Sequence, residues 1–164
     1  MSMTDVAVRQ VVTVNAPIGT AFTVFTEGFD SWWPRTHKIG AADLKQAVLE
    51  GREGGRWYEV STDGAQCDWG RVLVWDPPTR LVLAWQLDAS WQYDPALLTE
   101  VEVRFTEVGP RQTRVELEHR DLDRFGAARD EVRSALDSEG GWGGLMLAYA
   151  QTAEAAHAAQ TANA

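Results

Sequence analysis

Between Val6 and Val14, in the stretch VAVRQVVTV, Val6, Val8, Val12 and Val14 share one face while Arg9 and Thr13 take the other, the period-two pattern of a β-strand. The next segment, NAPIGTAFTVFTE, changes period. Phe22 and Phe25 stand three apart, Asn15 can act as an N-cap, and Pro17 falls where a missing N–H does no harm, so a short helix is predicted that ends near Gly28. EGFDSWWPRTHKIG, Glu27 to Gly40, has neither period. It sets Trp32 and Trp33 side by side in front of Pro34, either to plug a core or to cap a mouth.

Strand-like runs then follow in pairs. Gln46–Glu50 and Arg56–Thr62 flank GREGG, whose glycines accept the positive φ of a tight turn. CDWGRVLVWDPPTRLVLAWQL breaks at Asp76–Thr79, where two prolines pre-set a turn and cannot continue a central strand. Around EVGPRQ, Thr99, Val101, Val103 and Phe105 oppose Glu100, Glu102 and Arg104, and Val115, Leu117 and His119 oppose Arg114, Glu116, Glu118 and Arg120. His119 therefore shares the core face, and Glu118 points to water. The alanine-rich remainder from Asp121 reads as helix, with Ser138 able to cap it and Trp142, Leu145, Met146, Tyr149 and Ala153 forming one apolar stripe. Its end, QTANA, is expected to fray.

The predicted order is strand, short helix, roughly six further strands and a long helix. An antiparallel sheet with one apolar face and a helix with one apolar stripe bury both by packing together, which makes the fold α+β. The space between them can hold a solid core or a ligand.

Composition narrows the function. A chain of 164 residues fits one domain, read as residues 1–164 with a core over about 6–157, and buries about 70% of its unfolded surface. Cys67 is the single cysteine, so no intramolecular disulfide is expected, and MSMTDVAVRQ has no basic segment followed by an apolar run. These features fit a soluble cytoplasmic protein. A net charge of −9 opposes nucleic acid and anionic membranes as partners. Eight tryptophans are many for this length, and each needs a packed, contact or pocket role. His37, His119 and His157 are scattered, which argues against a zinc site. No Gly-x-Ser-x-Gly elbow occurs, GREGG lacks the features of a phosphate loop, and Cys67 reads as a small core residue.

NAPIGTAFTVFTE followed by WW, EGGRWYEV, WGRVLVWDPPTRLVLAW, TRVELEHRDL and GGWGGLMLAYA resemble, in order and spacing, the SRPBCC or START-like superfamily. The branch is that of proteins homologous to the C-terminal part of the activator of heat-shock protein 90 ATPase. The resemblance spans about Val6 to His157. It implies a helix-grip fold: a curved seven-stranded antiparallel sheet around a long C-terminal helix, one or two short helices after the first strand, and a mostly apolar cavity. No cofactor is implied. Lipid carriers, hormone binders, aromatase/cyclases and the co-chaperone domain all share this fold, so fold does not decide function.

Candidate cavity residues are Trp33, Trp57, Trp85, Phe105, His119, Trp142, Met146 and Tyr149, each of which could equally be core. Candidate proton-transfer residues are His119 and Glu59, the latter sharing a strand face with Trp57. Three functions stay open. The first is a binding module for a small apolar or aromatic ligand. The others are a cofactor-independent cyclase or hydrolase, and a protein-interaction domain with a chaperone partner. A tryptophan-rich surface is also compatible with a homodimer.

Overall fold

A computed structural model describes residues 7–162. Val6, read as the start of the first strand and of the core, lies outside them, as do Asn163 and Ala164. Seven strands are present: β1 (Val8–Val14), β2 (Leu44–Leu49), β3 (Arg56–Ser61), β4 (Gln66–Asp76), β5 (Arg80–Trp85), β6 (Thr99–Gly109) and β7 (Gln112–Arg120). All pairings are antiparallel, in the order β1-β7-β6-β5-β4-β3-β2. Each hairpin break falls where the turn residues place it. The first strand closes on the last, with Val8 opposite His119 and Val12 opposite Val115.

α1 (Ile18–Thr26) follows β1, and α2 (Phe29–Trp32) gives one helical turn to a segment read as aperiodic. Asn15 is not its cap. Pro17 holds the N-cap position without a side-chain bond, while the backbone N–H of Asn15 donates to Glu154 Oε2 at 2.9 Å. The C-terminal part is not one helix either. A kinked 3₁₀ segment (Leu122–Ala128) and α3 (Arg129–Leu136) precede α4 (Trp142–Ala162). Ser138 lies in the connecting loop, its hydroxyl donating to Ala135 O at 2.6 Å, so it does not cap α4. Gln160–Ala162 of the terminal QTANA continue the helix.

The predicted stripe of α4, Trp142, Leu145, Met146, Tyr149 and Ala153, is buried against the concave face of the sheet. Tyr149 also ties α4 to α1, donating its hydroxyl to Ala21 O at 2.6 Å and meeting Phe25 edge to face at 5.1 Å. On the convex face Glu102 is only 5% exposed, because Arg80, Arg104 and Arg120 all donate to it. These bonds outweigh its partial desolvation and hold its pKa down at about 2. No described helix is long and apolar enough to cross a membrane.

Candidate functional site

The indoles organise the space between sheet and helix. Trp57 on β3 and Trp85 on β5 are both register partners of Gly70 on β4, a residue with no side chain to separate them, and they meet edge to face at 5.7 Å. A Cβ at Gly70 would collide with the Ala84 carbonyl oxygen. Glycine is therefore required where the strands approach. From Trp85 the contacts run to Trp142 at 5.8 Å, to Trp33 at 6.3 Å, to Trp69 at 5.2 Å and back to Trp57 at 5.6 Å. Five side chains from three strands, the segment after α2 and the first turn of α4 thus form a closed aromatic ring.

A cavity of about 400 Å³ opens beside this ring, lined by Trp33, Trp69, Trp85 and Trp142 together with Trp91 from the β5–β6 connection. Ile39, Leu87, Leu136 and Leu145 complete its apolar wall, and Thr36, His37, Lys38 and Ser138 stand along it. Trp91 is 42% exposed and sits at φ +60°, a left-handed conformation uncommon for a bulky residue. Asp88 holds that turn by accepting from the N–H groups of Ser90 at 2.8 Å and Gln92 at 3.0 Å.

Three wall indoles have their N–H groups directed into the protein. Trp33 Nε1 donates to His37 O at 2.8 Å, Trp69 Nε1 to Glu59 Oε1 at 2.9 Å, and Trp142 Nε1 to His119 Nδ1 at 3.0 Å. The last bond decides the state of His119. Indole can only donate, so Nδ1 must carry a lone pair, and Nε2–H then donates to Thr99 Oγ1 at 2.8 Å. Thr99 passes its own proton to Trp85 O at 3.2 Å. Burial away from water pushes the imidazole pKa down to about 3. His119 is neutral, saturated and behind the wall.

Glu59 is fully buried without a cationic partner among the described residues. Its carboxylate accepts from Ile39 N at 2.6 Å, Gly40 N at 3.1 Å and Trp69 Nε1 at 2.9 Å. It shapes the loop and turns the Trp69 ring toward the cavity. A carboxylate here is accommodated by N–H dipoles, the usual substitute for hydration.

Of the residues expected to contact a ligand, Trp33, Trp85 and Trp142 line the cavity. Trp57, Phe105, His119, Met146 and Tyr149 lie in the core that supports it. Glu59 and His119 have separate partners and do not bond to each other. The tryptophan pair after α1 divides its roles. Trp32 is core, donating to Val24 O at 3.2 Å and packing on Tyr149 at 5.6 Å, whereas Trp33 is wall.

Pattern reading passed over Trp69, His37 and Lys38. A glycine directly after Trp69 inside a strand was the available sign of a bulge for the first, and aperiodic loop sequence carries none for the others. His37 Nε2 contacts Gly140 O at 2.6 Å. A carbonyl only accepts, so Nε2 bears the proton and Nδ1 faces the Thr36 hydroxyl at 3.1 Å.

Residues 15–151 match the family described as activator of Hsp90 ATPase homolog 1-like protein. The chain belongs to that family. Two solved structures are similar to this family member at both levels. The anthrahydroquino-gamma-pyrone synthase Txn09, determined in complex with SUM, is 36% identical over 92% of this chain and 99% of its own, with a TM-score of 0.64. CalC, a self-sacrificing resistance protein from Micromonospora echinospora, is 32% identical over 93% of this chain and 96% of its own, with a TM-score of 0.70. Protein NE0264 from Nitrosomonas europaea shares the fold at 12% identity, covering 91% of this chain and 94% of its own, with a TM-score of 0.64. Comparison with curated proteins gives no match. This activator of Hsp90 ATPase homolog 1-like chain is a START-like ligand-binding domain with the helix-grip fold.

Proposed function

We propose that this domain binds a largely apolar, polycyclic aromatic ligand in the cavity between the sheet and α4. The observation that carries the reading is the wall: five indoles around about 400 Å³. That volume lies within the range of small-molecule sites, which are mostly apolar with a few placed polar groups. Indole faces and edges suit flat rings, since offset and edge-to-face pairs add about 0.5–1.5 kcal/mol each beyond area burial. Two relatives above 30% identity are described as an anthrahydroquino-gamma-pyrone synthase and as a self-sacrificing resistance protein, and the first supports an aromatic ligand.

The test is thermal unfolding with tryptophan emission, against a panel of fused aromatics, sterols, flavonoids and acyl chains. A ligand at 100 times its dissociation constant adds about 2.7 kcal/mol, a rise of several degrees for a domain of this size. Fused aromatics should raise the midpoint and quench emission. Equal or greater shifts from acyl chains alone would overturn the aromatic reading.

A second reading, cofactor-independent catalysis, is favoured by one specific feature besides the synthase likeness. His37 stands on the cavity wall with its Nε2–H donating to Gly140 O and its Nδ1 against the Thr36 hydroxyl, so an imidazole is within reach of a bound ligand, whereas both ring nitrogens of His119 are engaged by Trp142 and Thr99 behind the wall. Turnover of a cyclisable aromatic precursor that is lost in His37→Phe with binding retained would establish this reading.

A further inference from the structure

The polar groups around the cavity are largely spent on one another. His37 and Thr36 satisfy each other and Gly140, Ser138 donates to Ala135 O, and three wall indoles donate inward. Lys38 is different. Its Nζ donates to Gly40 O at 2.9 Å and Ala41 O at 3.5 Å, which occupies two of an ammonium's three N–H groups. Among the described residues no carboxylate pairs with it. Among the described residues the Trp85 N–H has no protein acceptor either, and Trp85 lines the cavity.

Charge points the same way. Among the described residues of a chain with 24 acidic and 15 basic residues, no Asp or Glu lines this cavity, and one formal cation does, Lys38. The spare capacity of the site is for accepting oxygens, and one of them can be anionic.

We infer that the cavity selects aromatic ligands bearing an anionic oxygen, a carboxylate or phenolate, and that Lys38 is the residue that recognises it. The inference rests on the aromatic-ligand reading above and deepens it. Long-range repulsion from a −9 protein disfavours anions, and salt screens it beyond about 8 Å at physiological ionic strength. A preference for the anion must therefore come from a local cation.

The experiment compares two probes of nearly one shape, anthraquinone-2-carboxylate and anthraquinone-2-carboxamide, titrated by tryptophan quenching into wild type, Lys38→Met and Lys38→Arg. Wild type should bind the carboxylate at least ten times more tightly than the carboxamide. Lys38→Met should reduce that ratio to about one, Lys38→Arg should keep most of it, and raising salt should weaken only the carboxylate. If both probes bind wild type equally, or if Lys38→Met lowers both affinities by the same factor, the Lys38 assignment is wrong while the aromatic site stands. If neither probe binds wild type, the aromatic reading falls and this inference with it.

Discussion

An imidazole buried away from water stays neutral, because its charged form cannot be hydrated there. His119 adds a second reason: protonating Nδ1 would expel the Trp142 N–H that it accepts. Its folded pKa of about 3 lies below the ordinary value of 6.5. The unfolded chain thus takes up a proton below about pH 6.5 that the folded chain refuses until about pH 3. Stability falls as pH drops through that window, by up to about 1.4 kcal/mol per unit. Urea midpoints at pH 7.5, 6.0 and 5.0 should decline in wild type and much less in His119→Asn, which is expected to cost about 1–3 kcal/mol at pH 7.5 through the unpaired Thr99. Parallel declines would remove His119 as the source.

The side of the sheet that His119 occupies was legible, because period two places it with Val115 and Leu117. Its role was not, since an indole from a helix 23 residues further on completes the bond. For Glu59 the sequence showed only a face shared with Trp57. The donors that explain a buried carboxylate come from a loop with no period at all.

Elements inherit their positions from such single bonds. Glu59→Gln exchanges one acceptor oxygen for an NH₂ group, which would face either the Gly40 N–H or those of Ile39 and Trp69. The β2-side loop should loosen. Amide exchange at Ile39 and Gly40 should accelerate, with a stability loss of about 1–3 kcal/mol, and unchanged exchange would show that the carboxylate is dispensable. Tyr149→Phe removes the α4-to-α1 bond to Ala21 O and should cost about 0.5–1.5 kcal/mol by urea denaturation. The hairpins and the α4 stripe were readable because turns and periodicity are local. The cap assignments at Asn15 and Ser138 were not, because Asn15 is taken by Glu154 of a distant helix, and three glycine-rich residues separate Ser138 from α4.

At the scale of the whole molecule, an amphipathic sheet and helix must enclose something, and so the architecture was foreseeable. Whether the enclosure is filled depends on the loops over 36–41 and 137–141, whose shapes no pattern encodes. The arrangement makes an optical prediction. Trp91 is the exposed indole among the eight, the others being buried or half-buried. Acrylamide should therefore quench a small red-shifted component that disappears in Trp91→Phe. A bound aromatic should protect that component and quench the remainder. Uniform acrylamide quenching of the whole spectrum would contradict the packed ring.

The pairing of β1 with β7 also dictates when the sheet can close during synthesis on the ribosome. Val8 waits for His119 and Val14 for Thr113, and α4 then packs across β1 and α1. While the middle hairpins emerge and pair locally, the opening valine strand has no edge to join, so it needs shelter from other nascent chains. β7 and α4, which close the sheet and the cavity, leave the exit tunnel after all the other strands, so the cavity that a ligand would enter is complete only once they have emerged.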